Sequence, residues 1–424
     1  MRKLLLIGTI ISISIFVNAQ SPLTLDSCYS RARQQYPLLK QKDLIDKTKE
    51  YNLSNASKGY LPQFSISAQA TYQDPVTYIP FNLNVPKLGL DFSFPTFNKD
   101  QYRAFAELDQ LIYDGGTIKY SKESFEENAK IQQQNLEVQM YALKDRINQL
   151  FFGILLIEEQ LKQNDLFLKD IQSSIDKMQE GVKNGIATSS TVAELQATLM
   201  QQEQNRIQLN ASRKAYMDML GIFINQSLND KTILESPAHR TPSDNIRRPE
   251  LTYFDEQKKS FDIQDKKISA TNRPKLSLFL QGGYGRPGLN NFDNNFAPYY
   301  IGGIRFNWQF GGFYTLKNQR QLMDINRQMT DIQKETFIFN TSLILKQQYS
   351  EIDKLKALME MDKEIISKRK EVRIASKAQM ENGVVTMHEY LTQLDAEELA
   401  IQNLLLHQVQ LLLAEYSYQN TSGN

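Results

Sequence analysis

The 424-residue sequence predicts a mainly α-helical fold with membrane β-strands, in which one structural unit occurs twice. Three observations predict this fold. Landmark residues recur in the same order about 200 positions later. Short segments alternate apolar and polar residues with the period of a β-strand. A much longer segment contains no proline and only two glycines and carries apolar residues at heptad spacing, and the second copy supplies a segment of similar length.

The N-terminus has the features of a secretory signal peptide. Arg2 and Lys3 precede a short apolar run, and Val17-Asn18-Ala19 is a small-residue cleavage site. We therefore predict a signal peptide over residues 1–19. The apolar run is shorter than the roughly 20 residues that a membrane-spanning helix needs, and no later run approaches 18. Membrane insertion of the exported chain would therefore use strands.

The composition and motifs argue against an enzyme and against a nucleic-acid-binding protein. The formal net charge is +1, which gives no basic surface for nucleic acid. The three histidines, His239, His388 and His407, do not have metal-ligand spacing. Phosphate-binding glycine loops and nucleophile elbows are absent from the sequence. We expect no catalytic residues, no metal and no cofactor.

Internal repetition organises the chain. The repeated landmarks are Pro37 and Pro249, Pro62 and Pro274, Tyr72 and Tyr284, Gly115-Gly116 and Gly311-Gly312, and Asn184-Gly185 and Asn382-Gly383. Their ordered recurrence predicts a first repeat over 20–221, an equatorial linker over 222–248 and a second repeat over 249–424.

Each repeat is predicted to run helix, strand, strand, long helix, return helix. The first repeat has strands at about 60–74 and 101–113, a long helix at about 117–184 and a return helix at about 188–221. The second has strands at about 274–285 and 298–310, a long helix at about 314–382 and a return helix at about 386–418. Apolar residues such as Phe64, Ile304, Phe306, Trp308 and Phe310 occur at period two. This alternation is typical of a transmembrane strand, although a half-buried strand of a soluble sheet shows it too.

The first long helix carries a heptad seam from Met140 to Val182 that only Asn164 interrupts. About 68 residues at 1.5 Å rise give a rod of roughly 100 Å. Such a rod needs partners of equal length, and the second repeat supplies one. The spacing therefore predicts a left-handed supercoil that forms the wall of a tall helical barrel.

Four strands per chain cannot close a barrel, and open sheet edges are not tolerated in lipid. An eight-stranded barrel has an interior filled by side chains, whereas larger barrels hold water. Three chains, which give twelve strands, are the smaller closed solution with a pore. The sequence favours an oligomer and leaves the number of subunits open.

The chain resembles the outer-membrane efflux protein family of the TolC type. The resemblance rests on Arg248-Pro249-Glu250-Leu251 at the start of the second repeat, the aromatic-Gly-Gly junctions and the duplicated Asn-Gly turns. It implies a homotrimer with a twelve-stranded β-barrel in the lipid of the outer membrane and an α-helical tunnel across the periplasm. It further implies a periplasmic adaptor (membrane fusion) protein and an inner-membrane pump or ABC exporter as partners.

The resemblance also implies a gate. Family carboxylates that ring the periplasmic entrance match Glu389 and Thr392, of which only Glu389 is acidic, and a basic family residue matches Val385. Three Glu389 side chains around an axis would bind a cation and repel anions. A second interpretation remains open, because Thr386 and Glu389 also fit a capping box in which Glu389 only caps its own helix.

Glycines and threonines provide the remaining candidate sites. Gly185 and Gly383 are predicted to end the long helices in left-handed conformations, and Thr188 and Thr386 to cap the helices that follow. The pairs Gly115-Gly116 and Gly311-Gly312 are predicted to act as hinges that turn strand into helix.

The predicted function is that of an outer-membrane channel of a tripartite efflux or type I export system, a passive conduit from periplasm to exterior. The alternative is a soluble periplasmic adaptor, which would be expected to have one helical hairpin and several short-stranded domains.

Overall fold

The computed structural model describes residues 22–76, 83–85, 90–92, 96, 98–185, 187–243, 245–291 and 293–424. The predicted signal peptide lies outside these residues. The chain forms two compact units that do not coincide with the two repeats. Within the described residues, the hairpin unit covers 22–39, 139–248 and 338–424, and the sheet unit covers 40–138 and 249–337. Each unit therefore contains parts of both repeats.

The predicted mainly helical class is confirmed, with one four-stranded antiparallel sheet and one short strand pair in the described residues. The helices are α1 Leu25–Gln35, α2 Gln41–Ser57, α3 Thr117–Tyr141, α4 Leu143–Lys183, α5 Ser189–Ile224, α6 Pro249–Thr271, α7 Gly312–Glu381 and α8 Met387–Ser422. The strands are β1 Gln63–Tyr72, β2 Leu83–Val85, β3 Leu90–Phe92, β4 Asp100–Tyr113, β5 Lys275–Arg286 and β6 Ala297–Asn307. Short 3₁₀ helices cover Pro37–Lys40 and Lys58–Tyr60.

The sheet unit joins the strand pairs of the two repeats. The order is β1-β4-β5-β6, so β4 of the first repeat pairs with β5 of the second. Leu108 lies opposite Phe64 on one side and Leu280 on the other, and Leu278 lies opposite Ile304. Because the side-chain period is two, this register places a row of apolar residues from each of the four strands on one face.

The two faces of the sheet differ in chemistry. Large apolar side chains on the first face are exposed in the isolated chain, and these are Phe64, Ile66, Tyr72, Tyr102, Leu108, Leu278, Leu280, Tyr284, Tyr300, Ile304 and Phe306. The opposite face carries Ser65, Glu107, Asp109, Gln281 and Arg305 together with several apolar residues. Exposed apolar surface of this extent indicates contact with lipid or another chain.

The hairpin unit is built on the heptad seam of α4. All thirteen seam residues from Met140 to Val182 are buried or half-buried, and α4 packs against α5 and α8. Asn164 is buried at the seam, where its Nδ2 donates a hydrogen bond to Oε1 of Gln202 on α5 at 2.9 Å. The amide nitrogen of this one polar interruption therefore has a partner on the neighbouring helix, whereas its Oδ1 is buried without a hydrogen bond.

Two predicted elements differ from the structure. The helix predicted over 117–184 is interrupted at Ala142, between α3 and α4. Ala142 keeps right-handed helical dihedral angles, so the interruption is a local loss of regular hydrogen bonding that needs neither proline nor glycine. The strand predicted over 298–310 ends at Asn307. Trp308 therefore lies beyond the strand, and its Nε1 donates a hydrogen bond to the backbone oxygen of Asn272 at 3.1 Å.

The linker between α5 and α6 packs within the hairpin unit. Asn225 ends α5 in a left-handed conformation with φ of 50°. The backbone of Leu23 then forms a parallel bridge to the linker: Leu23 N–H donates to Ile233 O at 2.8 Å and accepts from Glu235 N–H at 3.0 Å. Leu228 of the linker is also buried. Across the described chain, every helix is too short or too polar to cross a membrane.

Candidate functional site: the hairpin ends and the strand-helix junctions

Both long helices end in the same type of turn. Gly185 and Gly383 have φ values of 74° and 73°, a region that residues with a Cβ rarely adopt. After α7, Gly383 N–H donates to Met380 O at 3.0 Å and Val384 N–H donates to Gln379 O at 2.8 Å. These bonds satisfy carbonyl groups that the end of a helix leaves free.

The return helices begin at threonine caps. Thr188 Oγ1 accepts a hydrogen bond from Thr191 N–H at 3.3 Å. Thr386 and Glu389 form a complete capping box: Glu389 N–H donates to Thr386 Oγ1 at 3.2 Å, and Thr386 N–H donates to Glu389 Oε2 at 2.8 Å. The backbone hydrogen bond from Thr386 lowers the pKa of the exposed Glu389 carboxyl. Thr392, one turn further on, is exposed and donates to His388 O at 2.9 Å.

Helices α4 and α5 form the first hairpin, and α7 and α8 form the second. An apolar cluster packs the ends of these two hairpins together. It contains Phe167, Ile171 and Ile175 of α4, Leu195 of α5, and Met387, Tyr390, Leu391 and Leu394 of α8. Met380 of α7 packs against its edge. The cluster joins side chains from all four helices of the two hairpins, so separation of the hairpins would expose it to water.

Polar contacts surround this cluster. The Arg373 guanidinium of α7 pairs with Glu397 of α8 within the second hairpin. Between the hairpins, His388 Nδ1 lies 3.3 Å from Glu194 Oε1. Lys177 Nζ also reaches Glu381 of the other hairpin at 3.7 Å. The exposed contacts contribute little each, whereas the Arg373–Glu397 pair is largely buried.

The sequence interpretation missed the residues that tie α8 to its neighbours. Glu397 and Glu398 are each 7% exposed, although charged residues are rarely that buried without partners. The sequence did indicate this burial. Leu394, Ile401 and Leu404 have heptad spacing, and the inward-facing position between Leu394 and Ile401 falls on residues 397 and 398. Carboxylates at a seam position indicate a polar contact between helices.

The first strand-helix junction is built on a buried aspartate. Gly115 and Gly116 have φ values of 74° and 92°. A Cβ on Gly115 would lie 2.7 Å from Ala270 O. Asp114 is 4% exposed, and its carboxylate accepts hydrogen bonds from Gly116 N–H at 2.8 Å and Ile118 N–H at 2.5 Å. Asp114 therefore caps α3 directly after strand β4.

The second junction uses its glycines differently. Gly311 has ordinary backbone angles and open space where a Cβ would lie. Gly312 is the first residue of α7, and a Cβ there would lie 1.8 Å from Asn272 Oδ1. The first pair thus provides left-handed turns, whereas the second provides room for the Asn272 side chain.

A charged network lies on the polar face of the sheet. Arg305 of β6 donates to Asp109 Oδ2 at 2.9 Å and to Glu107 Oε1 at 2.8 Å, both on β4. The guanidinium carbon lies 4.6 Å from the centre of the Phe279 ring. Ser277 of β5 also donates to Asp109 at 3.2 Å. This face therefore presents hydrogen-bonded charges that suit contact with water.

No group of three or more His, Cys, Asp and Glu side chains in the described residues is placed to hold a metal ion. Cys28 is fully buried, and burial raises the pKa of its thiol to about 12.

The fold is that of outer-membrane channel proteins. The chain is similar to VceC of Vibrio cholerae, with 13% identity, coverage of 94% of this chain and 96% of that chain, and a TM-score of 0.63. The open state of MtrE of Neisseria gonorrhoeae is similar at 13% identity, 94% and 89% coverage, and a TM-score of 0.63. CmeC of Campylobacter jejuni is similar at 14% identity, 94% and 83% coverage, and a TM-score of 0.57.

The sequence comparison matches part of the chain to a family model. Residues 28–217 match the model of the family described as outer membrane efflux protein. No curated protein matches the chain significantly. The resemblance to the outer-membrane efflux protein family that the sequence predicts is therefore confirmed.

Proposed function

We propose that this chain is one protomer of an outer-membrane channel that serves efflux or type I export as a passive conduit from the periplasm. The observation that carries the proposal is the sheet with two chemically different faces. Its apolar side chains, from Phe64 on β1 to Phe306 on β6, are exposed together, and the charged network around Arg305 occupies the other face. Lipid outside and water inside would satisfy both faces.

The sheet edges support a shared barrel. Within the described residues, β1 and β6 each pair with a neighbour on one side only. Unpaired backbone groups at these edges are costly in lipid, so they need strands from other copies. Three copies of the four-stranded sheet would form a closed twelve-stranded barrel with a water-filled interior. The homotrimer is the assembly that we propose.

The helices of the sheet unit also have unpartnered apolar residues. Leu322, Ile325, Met329 and Ile332 follow three-four spacing along α7, and each is at least half exposed. Leu44 and Tyr51 lie seven residues apart on α2 and are similarly exposed. Heptad stripes of this kind pack against other helices. We propose that these stripes pack against the helices of a second copy of the chain.

We place the periplasmic entrance at the two hairpin ends and propose that it opens when the hairpins at Gly185 and Gly383 untwist. A periplasmic adaptor and an inner-membrane pump or ABC exporter would engage this end of the channel. The exposed carboxylate of Glu389 can cap its helix and face the axis at the same time, because only Oε2 forms the capping hydrogen bonds.

The gate hypothesis is tested by single-channel recording in planar bilayers. Glu389→Gln removes the charge, and its amide oxygen can still accept the Thr386 N–H. Glu389→Ala removes both the charge and the cap. If Glu389 forms a cation ring, both variants lose cation block to the same extent. Unchanged block in both variants would remove Glu389 from the gate, and a loss in Glu389→Ala alone would assign it to capping.

The channel function is tested by cell fractionation and by conductance. The full chain should be recovered in the outer membrane, migrate differently on gels before and after heating, and conduct ions in a planar bilayer. Recovery of the mature chain in the detergent-free periplasmic fraction would contradict the channel and support the adaptor. The two hairpins and the lipid-type face of the sheet favour the channel.

A further inference from the structure

Glu398 occupies the contact between the two hairpins. It lies on α8, is 7% exposed, and accepts a hydrogen bond from Gln163 Nε2 of α4 at 2.9 Å. Gln402 Nε2, one turn along α8, donates a second at 3.0 Å. Both donors are neutral amides, so the carboxyl group is hydrogen-bonded without a compensating charge.

The charges around Glu398 do not neutralise it. On α8 the neighbouring groups are Asp395 and Glu397, and α4 contributes Asp170 to the same cavity. Arg373 of α7 is the cation of this cavity, and it is paired with Glu397. Within the described chain, Glu398 forms no ion pair of its own. The site therefore favours the uncharged acid.

A small cavity adjoins the carboxyl group. Its volume is about 70 Å³, and its lining includes Leu166 and Phe167 of α4 and Leu394 of α8. Burial raises the pKa of Glu398, and the negative neighbours Glu397 and Asp395 raise it further, against the hydrogen bonds from the two glutamines. Because a water molecule takes up about 30 Å³ in the liquid, the cavity has room for only about two waters beside the group.

The corresponding position of the first hairpin carries no acid. Glu398 follows the cap Thr386 by twelve residues, and Met200 follows the cap Thr188 by the same number. Met200 is 64% exposed. The repeat pattern therefore does not require a buried carboxyl group here, and Glu398 is specific to the second hairpin.

We propose that Glu398 is a proton-dependent latch between the hairpins: protonated, it holds α8 against α4, and ionised, it weakens this contact. The inference builds on the proposed entrance and adds a signal that would open it. Opening is favoured as the pH rises, because an unpaired carboxylate at the contact needs water and the separation of the helices supplies it.

The direction follows from proton linkage. An acid with a raised pKa in the closed state binds more protons closed than open, so the closed state is most stable at acidic pH. The stabilisation of the closed state by the protonated acid is complete below the ordinary pKa of a glutamate. It is lost as the pH rises through the raised pKa. Each pKa unit of difference between the two states changes the ratio of closed to open by tenfold.

Spin-label distances across the hairpins test the latch. Labels are placed at Ser190 and Val384 in the full chain, with labelled copies diluted in unlabelled chain so that single distances dominate. As the pH rises from 5 to 8, the label-to-label distance that is typical of the closed state should become less populated in the unchanged sequence. In Glu398→Gln the population of this distance should stay the same over the whole range. Glu159→Gln, which removes an exposed carboxylate of α4 paired with Lys162, is the matched control and should respond like the unchanged sequence.

Two results would overturn the latch: distances that do not depend on pH in the unchanged sequence, or a Glu398→Gln variant that keeps the full pH response. Bilayer conductance of the same proteins separates this failure from failure of the proposed function. If the protein conducts ions but its label-to-label distance does not depend on pH, the latch is contradicted and the channel function is not. If the label-to-label distance depends on pH but the protein does not conduct ions, the channel function is contradicted and the latch is not.

Discussion

Leu280 and Gln281 are neighbours on β5 that point to opposite faces of the sheet. Leu280 lies near the middle of the apolar face, opposite Leu108 of β4 and Gly302 of β6, and is 55% exposed in the isolated chain. Gln281 lies opposite Glu107 on the polar face. Replacing each by arginine adds the same charge to the same strand and differs only in the face that receives it.

The proposed contact of the apolar face with lipid sets the expected size of the difference. An arginine on the lipid face of a barrel costs about 2–4 kcal/mol near the bilayer midplane. Each 1.4 kcal/mol changes the ratio of folded to unfolded chain tenfold, so Leu280→Arg should lower this ratio by roughly 30-fold or more per chain. Gln281→Arg should cost less than about 1 kcal/mol, because the new guanidinium faces water and the Glu107 carboxylate.

The assay is urea-dependent folding into lipid vesicles, followed by heat-modifiable migration on gels. Leu280→Arg should shift the midpoint to lower urea, and Gln281→Arg should leave it close to that of the unchanged sequence. Equal destabilisation by both variants would refute the assignment of the faces. So would a larger effect of Gln281→Arg.

Three further predictions concern the hairpin unit. Gly185→Ala places a Cβ on a left-handed residue and should lower the free energy of unfolding, measured by thermal unfolding, by about 1–2 kcal/mol. Gly311→Ala should leave it nearly unchanged, because Gly311 has ordinary backbone angles and open space where the Cβ would lie. Arg373→Met leaves Glu397 buried without its cation and should cost about 3–5 kcal/mol by chemical denaturation; a loss below 1 kcal/mol would contradict the buried ion pair. Because burial raises the pKa of the Cys28 thiol to about 12, a maleimide at pH 8 should label it only after unfolding, and rapid labelling of the folded chain would contradict its position.

The sequence predicted those parts of the fold that depend on periodic patterns. The seam from Met140 to Val182 is buried because heptad spacing reports directly on one face of a helix. The faces of the sheet follow from period-two alternation in the same way. The interruption at Ala142 could not be predicted, because no proline, glycine or capping residue marks it.

The candidate site was predicted only where local chemistry determines it. The turn at Gly383 and the caps at Thr386 and Glu389 depend on residues three or four positions apart, and such spacing is visible in the sequence. The Glu398 contact joins residues 235 positions apart, so it requires the tertiary packing of α8 on α4. The cap of α3 by Asp114 was not predicted, because its carboxylate reaches Gly116 N–H and Ile118 N–H only when Gly115 and Gly116 adopt left-handed conformations.

The central claim is that one chain supplies an incomplete wall and that identical copies complete it through the strand edges. Cysteines introduced singly along β1 and along β6 test this claim most directly when the two kinds of chain are mixed and oxidised. The account predicts disulfides between β1 of one copy and β6 of the next, in a particle whose mass in mild detergent equals three chains. A monomeric particle, or the absence of disulfides between the two kinds of chain, would contradict it.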